Sequence, residues 1–379
     1  MILFRRRIVL LTVVLAAPSV SAGQEICGDR EPLYRLDGDD LVWGSIRAVN
    51  TNDSLLVVLT RSDPMIHLFD LADGSRRESW GQSGEGPGEF QSAAGVALAG
   101  RHVYVVDAEQ RRLSIFEFTG DLVHTVQLRD LGMPDDRPTG LDRAGGETLL
   151  FELSVPMGNE RSFFARSFGA SANEVPVRRD TVSVYPKWAA TLHLTAEGSP
   201  SYSLPPPYSP TLQWASVSEG VAFWQGPGSE VRILGFDGTL KSVVSLALDD
   251  RFEVTEEDRE FWFQNAIPQE VFGQRVFEPL RRKARRTVDF PRHHPPVFEL
   301  LGAGEFLYVR RTPDGRDEVW DIADFQGQTI NRVSLAQDQT LMTVIPDHMV
   351  LKVTDALGVE SVEVHRCSSL PGPESPRMH

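Results

Sequence analysis

Between Gly95 and Leu128 the chain alternates short apolar runs with tight turns in a way that few folds accommodate. Residues 95–99, 102–107, 113–118 and 122–128 are rich in Val, Leu, Ile, Phe and Tyr. The breaks between them carry Gly100, the polar run 108–112 and Thr119-Gly120-Asp121. β-Branched and aromatic residues favour extended backbone, and Gly and Asp favour hairpin turns. The stretch is therefore predicted to be four antiparallel strands joined by three turns. A lone sheet of this kind has two apolar faces and nothing to cover them, so it must pack against further layers.

Copies of the unit are present. Residues 55–59 and 65–70 lead through Asp73-Gly74 to 76–80. Residues 221–224 and 231–234 lead through Asp237-Gly238 to 240–248, and 306–309 and 318–322 lead through Gly327 to 329–335. Weaker copies lie at 148–168 and 349–364. Six units, the best matched repeating at about 45 residues, have the period of four-stranded propeller blades. The predicted fold is all-β, a six-bladed β-propeller of four-stranded antiparallel blades. The last unit, 338–366, has room for three strands. Residues 32–36, ahead of the first complete unit, are expected to supply the fourth and latch the ring.

The linker Gly81-Gln82-Ser83-Gly84-Glu85-Gly86-Pro87-Gly88-Glu89-Phe90, with the strands that follow it to Gly120, resembles the NHL-repeat family of β-propellers. The specific match covers residues 81–120; the other blades agree in layout. As a whole the chain is similar to exported bacterial six-bladed propellers. Some propellers in the families it resembles are metal-dependent lactonases or lyases, with carboxylate, Asn or His ligands around the central tunnel.

Residues 1–22 read as a secretory signal peptide: Arg5, Arg6 and Arg7, an apolar run from Ile8 to Ala17, then Val20-Ser21-Ala22 before Gly23. The run is shorter than the roughly 20 residues of a spanning helix. The expected organisation is a signal peptide at 1–22, a propeller at 23–367 and a flexible tail at 368–379. The mature chain is expected in the periplasm or outside the cell, as a monomer with no membrane span. In an oxidising compartment Cys27 and Cys367, the two cysteines of the chain, are expected to pair at the seam of the ring. The chain holds 38 Lys+Arg against 53 Asp+Glu, a net charge of −15. Loss of the leader removes three Arg and no acid, which leaves −18. Such a surplus of acid argues against a non-specific nucleic-acid partner.

Two insertions interrupt the period. Residues 169–207 lengthen the connection between the third and fourth units and end in a proline-rich loop. Residues 253–290 open with Thr255-Glu256-Glu257-Asp258, a helix N-cap with acids in the first turn, and close with Arg281-Arg282-Lys283-Ala284-Arg285-Arg286. They are predicted to form a small helical insertion over a propeller face or edge, with the basic run at a helix C-terminus.

Catalytic signatures are missing: no Gly-x-Ser-x-Gly elbow, no phosphate-binding loop and no His-Glu-x-x-His. Neighbouring residues point apart, so His293-His294 makes a poor metal pair. Asp70, Asp107 and Asp321 near strand ends read as turn hydrogen-bonders. Trp188, Trp214, Trp224 and Trp320 read as packing between blades, with one free to stack on a ligand. The leading expectation is a non-catalytic module that binds a protein, peptide or glycan on one propeller face, with no catalytic residue, metal ligand or cofactor. The alternative is a metal-dependent hydrolase or lyase with a divalent metal in the central channel. The positional candidates for ligand contact are Arg47, Glu89, Phe90, Trp214, His294 and Arg310, which stand at predicted inner-strand ends or blade starts.

Overall fold

The computed structural model describes residues 31–37, 43–133, 136–143, 147–154, 160–168, 178–186, 192–248, 252–269, 275, 277–313 and 316–367. The expected signal peptide, Cys27, Trp188 and the tail at 368–379 lie outside the described residues.

Six four-stranded antiparallel sheets form a six-bladed β-propeller. From the inner to the outer strand, blade 1 is Ile46–Thr51, Leu55–Thr60, Ile66–Asp70 and Arg76–Trp80. Blade 2 is Ala93–Ala99, His102–Asp107, Arg112–Glu117 and Leu122–Gln127. Blade 3 is Arg137–Arg143, Thr148–Ser154, Glu160–Ser167 and Arg178–Pro186. Blade 4 is Gln213–Val217, Gly220–Trp224, Glu230–Leu234 and Leu240–Ser245. Blade 5 is Glu299–Ala303, Phe306–Arg310, Glu318–Asp324 and Thr329–Leu335. Blade 6 takes three strands from the C-terminal end, Gln339–Ile345, His348–Thr354 and Glu360–Arg366. Its outer strand is Tyr34–Leu36, with Tyr34 opposite Val364. The ring is latched as the sequence predicts.

The reason for the ring is visible in Leu55–Thr60, where all six residues are buried. Side chains alternate across a strand. Leu55, Val57 and Leu59 pack with Val96, Leu98 and Val103 of blade 2, while Leu56 and Val58 pack with Val350, Val362 and Val364 of blade 6. Six apolar cores of this kind each join two neighbouring blades around the circle. Each fully buried Leu or Val contributes about 1.5–3 kcal/mol, and no blade keeps that contribution alone.

One expectation is corrected. Within 169–207, residues Arg178–Pro186 are not insertion but the outer strand of blade 3, paired with Glu160–Ser167. The remainder includes a short hairpin, Leu192–Leu194 with Tyr202–Leu204. The insertion at 253–290 holds α1 (Glu256–Asn265) and α2 (Glu278–Thr287). Thr255 and Asp258 form a reciprocal capping box at the start of α1. The two insertions pack on each other: Leu194 and Leu204 share a core with Ile267, Leu280 and Ala284. Lys283 Nζ donates to Thr195 O at 2.7 Å, and Arg285 forks onto Glu260 at 2.6 and 2.7 Å. Arg281 donates to Ile267 O. Much of the basic run is thus engaged in holding this module together.

Blade 1 buries His67 beside Trp43, with Nδ1 at 3.0 Å from Ser79 Oγ. Burial pushes the imidazole down from 6.5 to about 4, with the Arg76 charge adding to it and a hydrogen bond to Pro64 opposing it. The unfolded chain therefore takes up a proton that the folded chain refuses. The contribution is complete above pH 6.5 and is lost as the pH falls from 6.5 to 4. Urea unfolding of wild type is expected to show up to about 3 kcal/mol of acid loss from this residue. His67→Gln is expected to flatten that limb; an unchanged slope would remove His67 as its source.

Candidate functional site

The inner strands of all six blades line a central pocket of about 300 Å³. Inner strands converge on the axis, and small residues, Ala48, Ala215, Gly140 and Gly302, line the pocket alongside larger ones such as Leu141, Leu301 and Met342. Gly95, on the inner strand of blade 2, sits so close to blade 3 that a Cβ there would lie 2.7 Å from Leu141 N.

The connections from outer to inner strands all leave at one face, called here the front. In antiparallel blades the starts of inner strands, the ends of second strands and the starts of third strands lie at that face. Arg47, Arg61, Arg137, Arg161, Gln213, Glu299 and Arg310 occupy such positions. The helical module grows from the connections on either side of blade 4 and so stands on the same face. It is fastened there by Arg316 Nη2, 2.7 Å from Asp258 Oδ1, and by Tyr208 Oη, 2.6 Å from Asp258 O.

Gly140 on the inner strand of blade 3 pairs with Glu152, and a Cβ on it would meet Glu152 Oε2 at 3.0 Å and Trp214 at 3.5 Å. Arg161 of the third strand also lines the pocket, held by Glu152 at 2.7 Å. Trp214 lines the pocket beside it, with its ring 5.4 Å from Phe163 in an edge contact.

Deeper in the channel Asn50 ties three blades together. Its Nδ2 donates to Asp142 Oδ1 at 3.0 Å, and its Oδ1 accepts from Leu98 N at 3.0 Å. Burial pushes the Asp142 carboxyl above its ordinary value, against the pull of the Arg143 N–H, Ser216 and Asn50. A channel carboxyl raised in this way favours proton chemistry or a neutral hydrogen bond over a fixed charge. Among the described residues no three His, Cys, Asp or Glu side chains come together as a metal site requires.

Of the six candidates, three lie at the channel mouth. Trp214 lines the pocket, Arg47 precedes the lining residue Ala48, and Arg310 is ion-paired to the lining residue Glu299 at 3.3 Å and to Glu318 at 3.4 Å. The other three serve the framework. Phe90 is fully buried against Phe116. Glu89 closes the glycine-rich turn by accepting from Gly86 N and Gln82 Nε2, both at 2.8 Å. His294 is buried under the helical module, with Nε2 at 3.0 Å from Asp258 Oδ2 and its ring 4.3 Å from Tyr208. Burial lowers the His294 pKa against the pull of Asp258. Asp258 is itself held at about 2, where the hydrogen bonds from Thr255 and His294 outweigh the upward push of burial. Asn50, Asp142, Glu152 and Arg161 carry no sequence signal of their own. The sole hint is glycine at 140 in an otherwise substituted strand.

Asp107 accepts from Gln91 N and Ser92 N through one oxygen and from Glu109 N and Gln110 N through the other, at 2.7–3.0 Å. Trp224 and Trp320 are buried in interblade cores. Cys367 is buried directly after the last strand of blade 6.

A family model described as a six-bladed β-propeller matches residues 38–134. No curated protein sequence matches the chain. Among solved structures the chain is similar to a protein described as exported, from Bacteroides fragilis NCTC 9343, at 10% identity over 88% of this chain and 94% of that one, with a TM-score of 0.46. It is also similar to a member of the duf4221 family from Bacteroides vulgatus, at 8% identity over 88% and 94%, TM-score 0.48. A third is a calcium-binding regucalcin from Agrobacterium tumefaciens str. C58, at 9% identity over 89% and 96%, TM-score 0.43.

Proposed function

We propose that the chain is an exported binding module, of the NHL-repeat-like bacterial kind, that holds a peptide or glycan segment at the front mouth of its channel. The observation that carries this reading is the central pocket that Trp214 and Arg161 line together. Concave sites of a few hundred Å³ with an aromatic wall and a few placed polar groups are the usual form of a ligand site. The leader at 1–22 directs the chain out of the cytoplasm, where a Cys27–Cys367 disulfide seals the seam already latched by Tyr34–Leu36.

Screening the mature protein on glycan and peptide arrays is expected to give ligands that Trp214→Ala weakens about tenfold or more, without loss of the β circular-dichroism signal. Ligands retained undiminished by Trp214→Ala would move the site elsewhere.

The hydrolase or lyase reading has one observation in its favour, the raised Asp142 carboxyl beside Asn50 in the channel. Turnover of model lactones or esters with a divalent-metal requirement, abolished in Asp142→Asn, would establish it in place of the binding reading.

A further inference from the structure

We propose that the front mouth seats an anionic group, a carboxylate or phosphoryl, in an arc of arginines from blades 1 and 3. The proposal rests on the reading of this mouth as the binding site and adds the chemistry of the ligand. Arg47 is the extra residue of a β-bulge, since Ile46 pairs with Thr60 and Ala48 with Leu59. A bulge re-aims the side chain it carries. Arg61 follows the partner strand, and its N–H donates to Ser45 O at 3.0 Å, which keeps it beside the start of the inner strand. Arg137 opens the inner strand of blade 3, and Arg161 of its third strand lines the pocket.

The arc is under-compensated in a chain that has 53 acidic residues to draw on. Arg137 pairs with Glu109 at 2.7 Å and Arg161 with Glu152 at 2.7 Å. Among the described residues neither Arg47 nor Arg61 has a carboxylate at ion-pair distance. Burial, then Arg61 and Arg137, lower the Arg47 pKa, and Asp107 offsets them in part. The basic run of α2 is the contrast, because there Lys283 and Arg285 are bound into the fold. Guanidinium groups at one mouth, two of the four with no matching acid, form a site that an anion completes, by forked hydrogen bonds and by relief of like-charge repulsion. Trp214 supplies an apolar wall for the remainder of the ligand.

The test is calorimetric titration of the mature protein with inorganic phosphate, with trigalacturonate and with neutral maltotriose, in low and high salt. Wild type is expected to bind at least one of the two anions saturably, more weakly in high salt. Phosphate alone marks a phosphoryl seat, and trigalacturonate alone marks a carboxylate seat. Arg47→Gln with Arg61→Gln is expected to lower anion affinity about 20-fold or more, since hydrogen bonds to charged groups are the strong ones. Arg61 is exposed and Arg47 only partly covered, so the thermal midpoint of the double variant is expected to stay close to the wild-type value. Absence of saturable binding of either anion below about 10 mM, or equal affinity in the double variant, would overturn the seat. A ligand that depends on Trp214 but is neutral and indifferent to Arg47 and Arg61 would sink the seat and leave the channel reading standing. Anion binding that needs the arginines but ignores Trp214→Ala would do the reverse.

Discussion

Replacing Asp321 by alanine is expected to lower stability by about 3–5 kcal/mol, among the largest effects available to a single substitution here. Asp321 is 1% exposed and accepts from Arg311 Nη1 through one oxygen and from Arg332 Nε through the other, each at 2.6 Å. Arg311 is itself 3% exposed, and its Nε donates to Pro296 O. The carboxylate is what makes a buried guanidinium tolerable. Once it is removed, the Arg311 guanidinium loses the carboxylate 2.6 Å from its Nη1 in a low-dielectric interior. Urea unfolding measures the loss, and the double variant Asp321→Ala with Arg311→Met is expected to recover much of it, because the buried guanidinium leaves together with its carboxylate. A single-variant loss under about 1 kcal/mol would show that blade 5 relaxes enough to hydrate Arg311.

Gly302→Ala is expected to cost about 3 kcal/mol or more, and it acts by a different route. A Cβ at this position would meet the carbonyl oxygen of Ser216 at 1.9 Å. The obstacle is backbone on the neighbouring inner strand, so rotation of a side chain cannot relieve it. Blades 4 and 5 must separate at the axis, where their spacing also shapes the pocket. Gly304 provides the control. It has φ +61 with nothing near its Cβ position, so Gly304→Ala meets only the cost of a left-handed backbone, about 1–2 kcal/mol. If thermal unfolding ranks the two substitutions in the opposite order, close approach of the inner strands is not what glycine provides at 302.

Blade 2 was legible because its first three strands are buried on both faces and read as largely apolar runs, with turn residues between them. The latch strand was legible by counting, since 338–366 is one strand short. The outer strand of blade 3 was hidden: it opens Arg178-Arg179-Asp180, and an outer strand has little apolar area to bury. The union of the two insertions was hidden for another reason. Leu194 and Leu280 are far apart in sequence, and amphipathic segments do not name the partner they cover. Arg47, Trp214 and Arg310 fall at the channel mouth because strand starts and ends at the front face follow from the repeat. Arg161 escaped because its reach to the pocket, and its pairing with Glu152, depend on how third and second strands pack around the inner strand, which no local pattern shows. Phe90 and Glu89 were placed at the same kind of boundary, but the glycine-rich turn folds back on itself and uses both. Arg112 pins that turn by donating to Gly86 O and Glu89 O.

The latch also sets an order of events in the life of the chain. Arg35 donates to Ser361 across 326 positions of sequence. The apolar core between blades 6 and 1 draws Leu36 and Trp43 from one end and Val362 and Val364 from the other. A nascent chain can assemble blades 1 to 5 from neighbouring segments as they appear, but blade 6 and its core against blade 1 wait for residues 339–366. Until then each end presents an uncovered apolar sheet face and an unpaired strand edge, the surfaces on which chains aggregate. Contacts of this separation also form slowly once the chain is whole.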